Sequence, residues 1–258
     1  MQPLTLGVLV FARAAGMTAA APGFGLSEVP LKVRFALAAI LVPVMSPVAQ
    51  AHVAAGSVAL EHLPLFAAKE AAVGLALGFA ASLLFHGIGM AGQLVGSQIG
   101  FLSAAHGLPA PIGGSRPSLG SGAPIARLYY LLGILTYFMI DGHHSLLAAA
   151  ARAYARLPVD AMLPRAGAGE PLTGLAADMF VVALQVSAPA LAALFFTDIV
   201  LAMAGRAIPA LSPFTVWLPA RCLVGLVAVA LSAPLIGAAV VGYAQRLHRA
   251  LLELASAL

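Results

Sequence analysis

Charged residues are scarce in this chain, and their scarcity excludes most classes of soluble protein. Asp, Glu, Lys and Arg together make up 9% of the 258 residues, whereas about 25% is usual for a soluble domain. The hydrophobic residues reach 62% without the glycines, against about 45–50% with glycine included in soluble domains. This composition excludes a soluble cytosolic enzyme, a disordered protein and a nucleic-acid-binding domain. It indicates an integral membrane protein.

The chain also has a single cysteine and no cluster of basic residues. The single cysteine, Cys222, excludes an intramolecular disulfide and a cysteine-rich metal site. The 13 basic residues stand singly or in pairs, so the sequence does not indicate a phosphate-binding surface. The first residues lack the basic region of a secretory signal, and Arg13 lies inside an apolar stretch. We therefore expect no cleavage, and insertion of the whole chain into a membrane.

Long uncharged runs predict an all-α integral membrane protein with about six hydrophobic segments, some of them broken or hairpin-like. The runs are too long and too rich in Ala and Leu for the alternating strands of a barrel. We expect one helical membrane domain over residues 1–258, with a Gly/Pro-rich loop over 105–127. The six segments are 4–21, 35–60, a helix or bent pair that begins the run 71–115, 128–151, 179–204 and 222–245.

Proline positions predict where two of these stretches are interrupted. Proline removes a backbone donor and clashes with the preceding helical turn. Pro43 and Pro47 are therefore expected to break the second half of the second segment. Three further prolines predict a short broken hairpin between the fifth and sixth segments, and they are Pro209, Pro213 and Pro219.

Small residues recur at four-residue spacing in the third segment. Gly92, Gly96 and Gly100 form one series, and Gly74 and Gly78 begin another. This spacing puts the glycines on one helix face, where two backbones can approach closely. Packing within the chain and packing against another subunit both explain such a face, and the motif does not separate them.

Four charged residues in or next to apolar segments are candidate structural charges: Arg13, Asp141, Asp198 and Arg206. Exposure of such groups to lipid is costly, so they are expected to pair or to face protein. Arg13 has Asp141 and Asp198 as possible partners, and Arg206 follows Asp198 closely. A structural salt bridge and a transport role both remain open.

The stretch Asp141–His144 has residue types that bind zinc, but its spacing argues against a metal site. Adjacent His143 and His144 are expected on different helix faces, and no HExxH spacing exists. We therefore expect no metal and no cofactor here, and a helix break or polar patch at Asp141–Gly142. No arrangement typical of a catalytic nucleophile is present, so the sequence predicts a protein without enzymatic activity.

A Gly/Pro-rich stretch over residues 107–124 is incompatible with helix. Irregular backbone in a membrane protein is tolerated only where protein buries it or a cavity adjoins it. An exterior loop and a pore-lining element both remain open. The candidate gate residues are Gly107, Pro109, Pro111, Gly113, Gly114, Pro117, Gly120 and Gly122.

Four motifs in order resemble one protein family. Residues 12–38 contain an arginine, an aPxfG-like turn and a vPxxvR-like element, and residues 90–104 contain an aGQxxGxQxG-like signature. Residues 141–159 are similar to a GHHxll motif that ends in an lP pair, and residues 188–214 resemble an aPxlaxll motif that ends in RxxP. On these motifs the chain resembles the FliR/SctT family of flagellar and virulence type III secretion export-apparatus proteins.

The resemblance implies a function that the composition does not reveal. Members of this family are subunits of a helical core that admits unfolded export substrates. The implied partners are FliP-like and FliQ-like membrane subunits, an FlhB-like export switch protein and an FlhA-like export protein, beside membrane lipid and without nucleic acid. The implied location is the bacterial inner membrane at a flagellar basal body or an injectisome. Within this family the 107–124 stretch is expected to close the export path.

Two branches and two other classes of protein are alternatives. The flagellar branch is favoured, and the virulence-type, SctT-like injectisome subunit is its alternative. An independent secondary transporter is disfavoured because the two halves show no internal repeat. An intramembrane enzyme that uses Asp141, His143 and His144 is disfavoured by their spacing.

Overall fold

The fold consists of long α-helices. A computed structural model describes residues 3–23, 29–53, 62–99, 124–160, 169–207 and 218–257. Within these ranges there are seven α-helices and no strand, which confirms the all-α prediction. The helices are α1 (Pro3–Ala20), α2 (Leu31–Ala51), α3 (Leu63–Ile99), α4 (Pro124–Met139), α5 (Gly142–Arg156), α6 (Gly169–Ala207) and α7 (Leu218–Ala257).

Several helices have the length and composition of membrane spans. Four of the described helices are long and apolar enough to cross a membrane: α2, α3, α6 and α7, the last two over most of their length. If the bent pair α4–α5 forms one span, five spans are possible. Helix α3 has 37 residues, which corresponds to about 55 Å, well beyond a hydrocarbon core of about 30 Å. The chain is therefore an all-α, multi-pass membrane protein.

The prolines do not break the helices in the way the sequence predicts. Helix α2 continues through Pro43 and Pro47, and α6 and α7 continue through Pro189 and Pro234. A proline inside a helix frees the carbonyl four residues earlier. For Pro47 that carbonyl belongs to Pro43, and the Ser46 hydroxyl donates to it at 3.5 Å. Such local donors make proline tolerable in membrane helices, so the prediction of a break was wrong.

The predicted break at Asp141–Gly142 is confirmed. Helix α4 ends at Met139 and α5 begins at Gly142. Asp141 has φ 56°, and among the described residues it is the single non-glycine with positive φ. The ring of Tyr137 fills the space that a side chain at position 142 would need, so glycine fits there. The first predicted segment agrees with α1. Most of the predicted hairpin over 207–220 lies outside the described residues, but its last proline, Pro219, lies in the first turn of α7.

The described residues form two compact units. The first takes its residues from Met1–Leu83, Tyr137–Ala177 and Gly242–Leu258, and the second from Leu84–Thr136 and Asp178–Val241. One buried apolar cluster of the first unit joins α1, α2, α3 and α5, and it consists of Leu6, Leu9, Val10, Met45, Ala49, Phe66, Tyr154 and Val159. The apolar spacing at 6, 9 and 10 puts these side chains on one face of α1.

Candidate functional site

A buried charge cluster lies in the first unit and joins α1 to α3. Arg13 is 1% exposed and Glu70 is fully buried. The Nε of Arg13 lies 2.5 Å from Oε2 of Glu70, and the Nζ of Lys69 lies 2.9 Å from Oε1 of the same carboxylate. One carboxylate thus serves two cations, away from solvent.

The end of α5 and the residues directly after it supply further partners of the two cations. The Nη2 of Arg13 donates to the Leu157 carbonyl at 2.9 Å, and the guanidinium lies 4.0 Å from the ring centre of Tyr154. Lys69 donates to the carbonyls of Pro158 and Val159 at 3.2 and 3.3 Å. Basic groups are favoured at a helix C-terminus because its last carbonyls lack helical donors. The cluster therefore fixes α1, α3 and the end of α5 together.

Glycines let the backbones of α1 and α3 approach closely around this cluster. A Cβ on Gly74 would overlap the carbonyl oxygen of Arg13, and a Cβ on Gly16 would overlap that of Ala71. Gly78 meets the carbonyl of Met17 in the same way. Larger residues would therefore push the two helices apart at the point where Arg13 reaches Glu70.

The structure gives Arg13 a partner that the sequence did not indicate. The sequence offered Asp141 and Asp198 as partners, and this pairing was wrong. Glu70 stands just before the uncharged run that begins at Ala71, so it is not among the charges that the sequence places in or next to apolar segments. Because α3 begins at Leu63, Glu70 instead lies inside the helix. The adjacent opposite charges of Lys69 and Glu70 were the available signal.

A second, more exposed polar cluster lies in the second unit. Asp198 of α6 and Arg221 of α7 form an ion pair with an N–O distance of 3.1 Å. The Nη2 of Arg221 also donates to Oε1 of Gln98 in α3 at 3.2 Å. Asp198 therefore pairs across helices, while the neighbouring Arg206 lies exposed in the last turn of α6. The cluster therefore joins the opposite charges of α6 and α7 to a neutral side-chain amide of α3.

The glycine series of α3 continues in the second unit. A Cβ on Gly92 would lie 2.6 Å from the Cα of Ala126 and 2.9 Å from the carbonyl oxygen of Ile125. Gly92 thus lies against the first turn of α4. Gly96 is also buried, and Gly100 lies outside the described residues. Contact of this face with another subunit stays a prediction.

At Asp141–His144 the structure contradicts the geometric part of the argument against a metal. The rings of His143 and His144 have centroids 4.2 Å apart, although neighbouring residues on a helix were expected to diverge. The Nδ1 of His144 lies 3.3 Å from Oδ1 of Asp141. Potential ligand atoms of the three residues all lie within 4.8 Å of one another.

The predicted gate residues, from Gly107 to Gly122, lie outside the described residues. Their role stays a prediction from the sequence. The end of the predicted loop over 105–127 is helix instead, because α4 begins at Pro124.

Comparison with known proteins identifies relatives along most of the chain. Residues 4–247 match the family described as bacterial export proteins, family 1. The chain is 32% identical over 170 residues to the flagellar biosynthetic protein FliR of Bacillus subtilis (strain 168). The aligned residues are 65% of this chain and 63% of that relative, so the match spans less than two thirds of the relative's length. It is 28% identical over 228 residues to FliR of Caulobacter vibrioides, with 88% of each chain covered. FliR of Escherichia coli (strain K12) is 24% identical over 236 residues, with 87% of this chain and 82% of the relative covered.

The family match includes α1 to α6, most of α7 and all four stretches on which the resemblance rests. It begins one residue after the start of α1 and ends within α7. This chain belongs to the bacterial export proteins, family 1, the FliR/SctT family.

Proposed function

We propose that this protein is a subunit of the flagellar protein export apparatus in the bacterial inner membrane. In this proposal it builds, with FliP-like and FliQ-like subunits, the channel through which unfolded substrates enter. An FlhB-like switch protein and an FlhA-like protein act beside it. The observation that carries the proposal is the family match over residues 4–247, together with relatives that are all named flagellar biosynthetic protein FliR.

Exposed apolar helix faces support a role inside a larger membrane assembly. In the apolar stretch of α2 only 11% of the residues are buried, and in the apolar stretches of α6 and α7 33% are buried. Faces of this kind need lipid or other helices as neighbours. Among the large apolar side chains on these faces are Phe195, Phe196, Met203, Leu223 and Leu231.

The buried charge cluster supports a structural role and not a catalytic one. Glu70 forms ion pairs with Arg13 and with Lys69, and the two cations also donate to carbonyls at and just after the end of α5. Their contacts hold helices together, so the protein contributes shape and packing to the export channel. Export energy then comes from other components, and the chain itself catalyses no reaction.

Deletion of the gene in its own host tests the proposal. Loss of swimming and of flagellar filament export is expected, and a plasmid copy should restore both. In mild detergent the protein should purify together with FliP-like and FliQ-like chains.

A deletion strain that swims normally would contradict the proposal. Loss of injectisome secretion with intact flagella would instead favour the SctT-like alternative. A chain that purifies alone as a stable monomer and transports a small solute in vesicles would favour an independent transporter.

A further inference from the structure

The junction of α4 and α5 brings three potential metal ligands together. Asp141 holds a left-handed backbone conformation directly before α5. Its carboxylate and the His144 ring, one turn later, are within 3.3 Å of each other. The His143 ring lies beside that of His144 and is also in contact with Phe138, at a centroid distance of 5.3 Å. All three residues belong to the first compact unit.

We propose that Asp141, His143 and His144 bind one zinc ion. Imidazole nitrogen and carboxylate oxygen are ordinary zinc ligands, with bond lengths of about 2.0–2.2 Å. Two ligand atoms on one zinc ion are therefore separated by no more than about 4.2 Å. The potential ligand atoms of the three residues now lie up to 4.8 Å apart, so a small inward rotation of the side chains is required for zinc binding. Three protein ligands leave a fourth tetrahedral position for water.

Exposure makes the inward rotation feasible. The side chains of His144 and Asp141 are 68% and 71% exposed, so an ion can reach them and they can turn towards it. His143 is half-buried against Phe138 and is the more fixed of the three. The site therefore combines one partly buried ligand with two exposed ones.

An unsatisfied ring nitrogen is a second observation in favour of a ligand. The Nδ1 of His143 is buried and has no hydrogen-bond partner among the described residues. Buried polar atoms are normally bonded, and an exception calls for an explanation. Metal coordination by a histidine ring fixes its tautomer and orientation. Coordination of zinc by this Nδ1 would give the nitrogen a partner that the described residues do not supply.

The proposed ion has a structural effect at the break. It would join the residue before α5 to the first turn of α5, and so hold the left-handed turn at Asp141. This proposal reverses the expectation of no metal, because that expectation depended on diverging histidines. It is independent of the export function, since zinc binding is measured on the purified protein.

The test uses the full-length chain in mild detergent, without a polyhistidine tag and stripped with a chelator. Zinc chloride alone is added, and bound zinc is measured by equilibrium dialysis with elemental analysis. The natural protein should bind one ion per chain. His143→Ala and His144→Ala should each weaken binding by more than roughly tenfold. Zinc should raise the melting temperature of the natural protein but not of the His143→Ala/His144→Ala variant.

His86→Ala and His52→Ala are the matched controls, because both histidines are exposed and lie outside the cluster. Both controls should retain full binding. No zinc on the natural protein, or equal losses in the controls, would overturn the proposal. Full binding by His143→Ala would overturn the three-ligand site and leave an ordinary pair between Asp141 and His144. His143→Gln serves in place of His143→Ala if the latter fails to fold, as judged by helix content.

Discussion

Glu70 is the residue on which the buried charges of the first unit depend. Its carboxylate contacts both Arg13 and Lys69, and all three residues are buried. Removal of one partner from a buried ion pair leaves a charge without compensation, and this is far more costly than the loss of a surface pair.

We expect Glu70→Gln to lower the stability of the protein by about 3–5 kcal/mol. The amide is similar in size but carries no charge, so two buried cations lose their common partner. Thermal unfolding in detergent, followed by circular dichroism, measures the change. Arg206→Gln is the control, because it removes an exposed charge. The double variant Arg13→Met/Glu70→Leu should recover part of the loss, and a Glu70→Gln protein as stable as the control would contradict the cluster's role.

The sequence predicts that Arg13 pairs with another group or faces protein, but not which residue it meets. Burial of a charge follows from composition, since an arginine inside an apolar run must avoid lipid. The choice of Glu70 depends on the tertiary approach of α1 and α3, which the contacts of Gly16 and Gly74 determine. Local patterns do not encode that approach. For the same reason the proximity of His143 and His144 was missed, since a periodic helix argument ignores how rings turn at a helix start.

At the scale of the element, apolar runs predict helices well and helix ends poorly. The segment 4–21 agrees with α1, whereas α7 extends to Ala257, beyond the predicted end at 245. Charged residues such as Arg246 end a membrane segment but do not end a helix, since they are good helix formers. Pro47 was likewise over-interpreted, because Ser46 supplies a donor to the carbonyl that it frees.

We expect Gly92→Leu to destabilise the packing of α3 against α4. The new side chain would meet the backbone of Ala126 and Ile125, which cannot turn aside as a flexible side chain does. Overpacking of a core costs about 1–3 kcal/mol, and sometimes more. Thermal unfolding and pull-down of partner subunits measure the effect, while membrane insertion should be unchanged.

Gly89→Leu is the matched control for Gly92→Leu. Gly89 lies in the same helix, and a Cβ there would meet nothing within 4 Å. Because both substitutions remove a helical glycine and add the same side chain, any difference between them reflects packing. Equal stability and equal assembly of the two variants would show that the Gly92 face is not a packing surface. Gly96→Leu extends the test along the same series.

At the scale of the whole molecule, the chain has more apolar surface than its own helices cover. More than half of the residues of α2 are exposed, and large apolar side chains lie exposed on α6 and α7. Small residues that allow close approach are typical of helix–helix contacts in membranes, where apolar surface alone gives little drive for association. The sequence predicts this excess from its composition. It does not predict which faces meet lipid and which meet other subunits, because both neighbours are apolar.

The last prediction concerns the stretch 107–124, which we propose closes the export path. Its glycines and prolines favour irregular backbone over helix, and irregular backbone at membrane depth needs protein or a cavity beside it. Deletion of residues 110–122 should leave the complex assembled but permeable to ions and small solutes. Solute uptake, with a pull-down for assembly, measures this. A replacement of 110–122 by Gly and Ser of equal length should assemble even if the deletion does not, and should leak if the native stretch makes the seal. An assembled and impermeable replacement would show that another part of the complex closes the path.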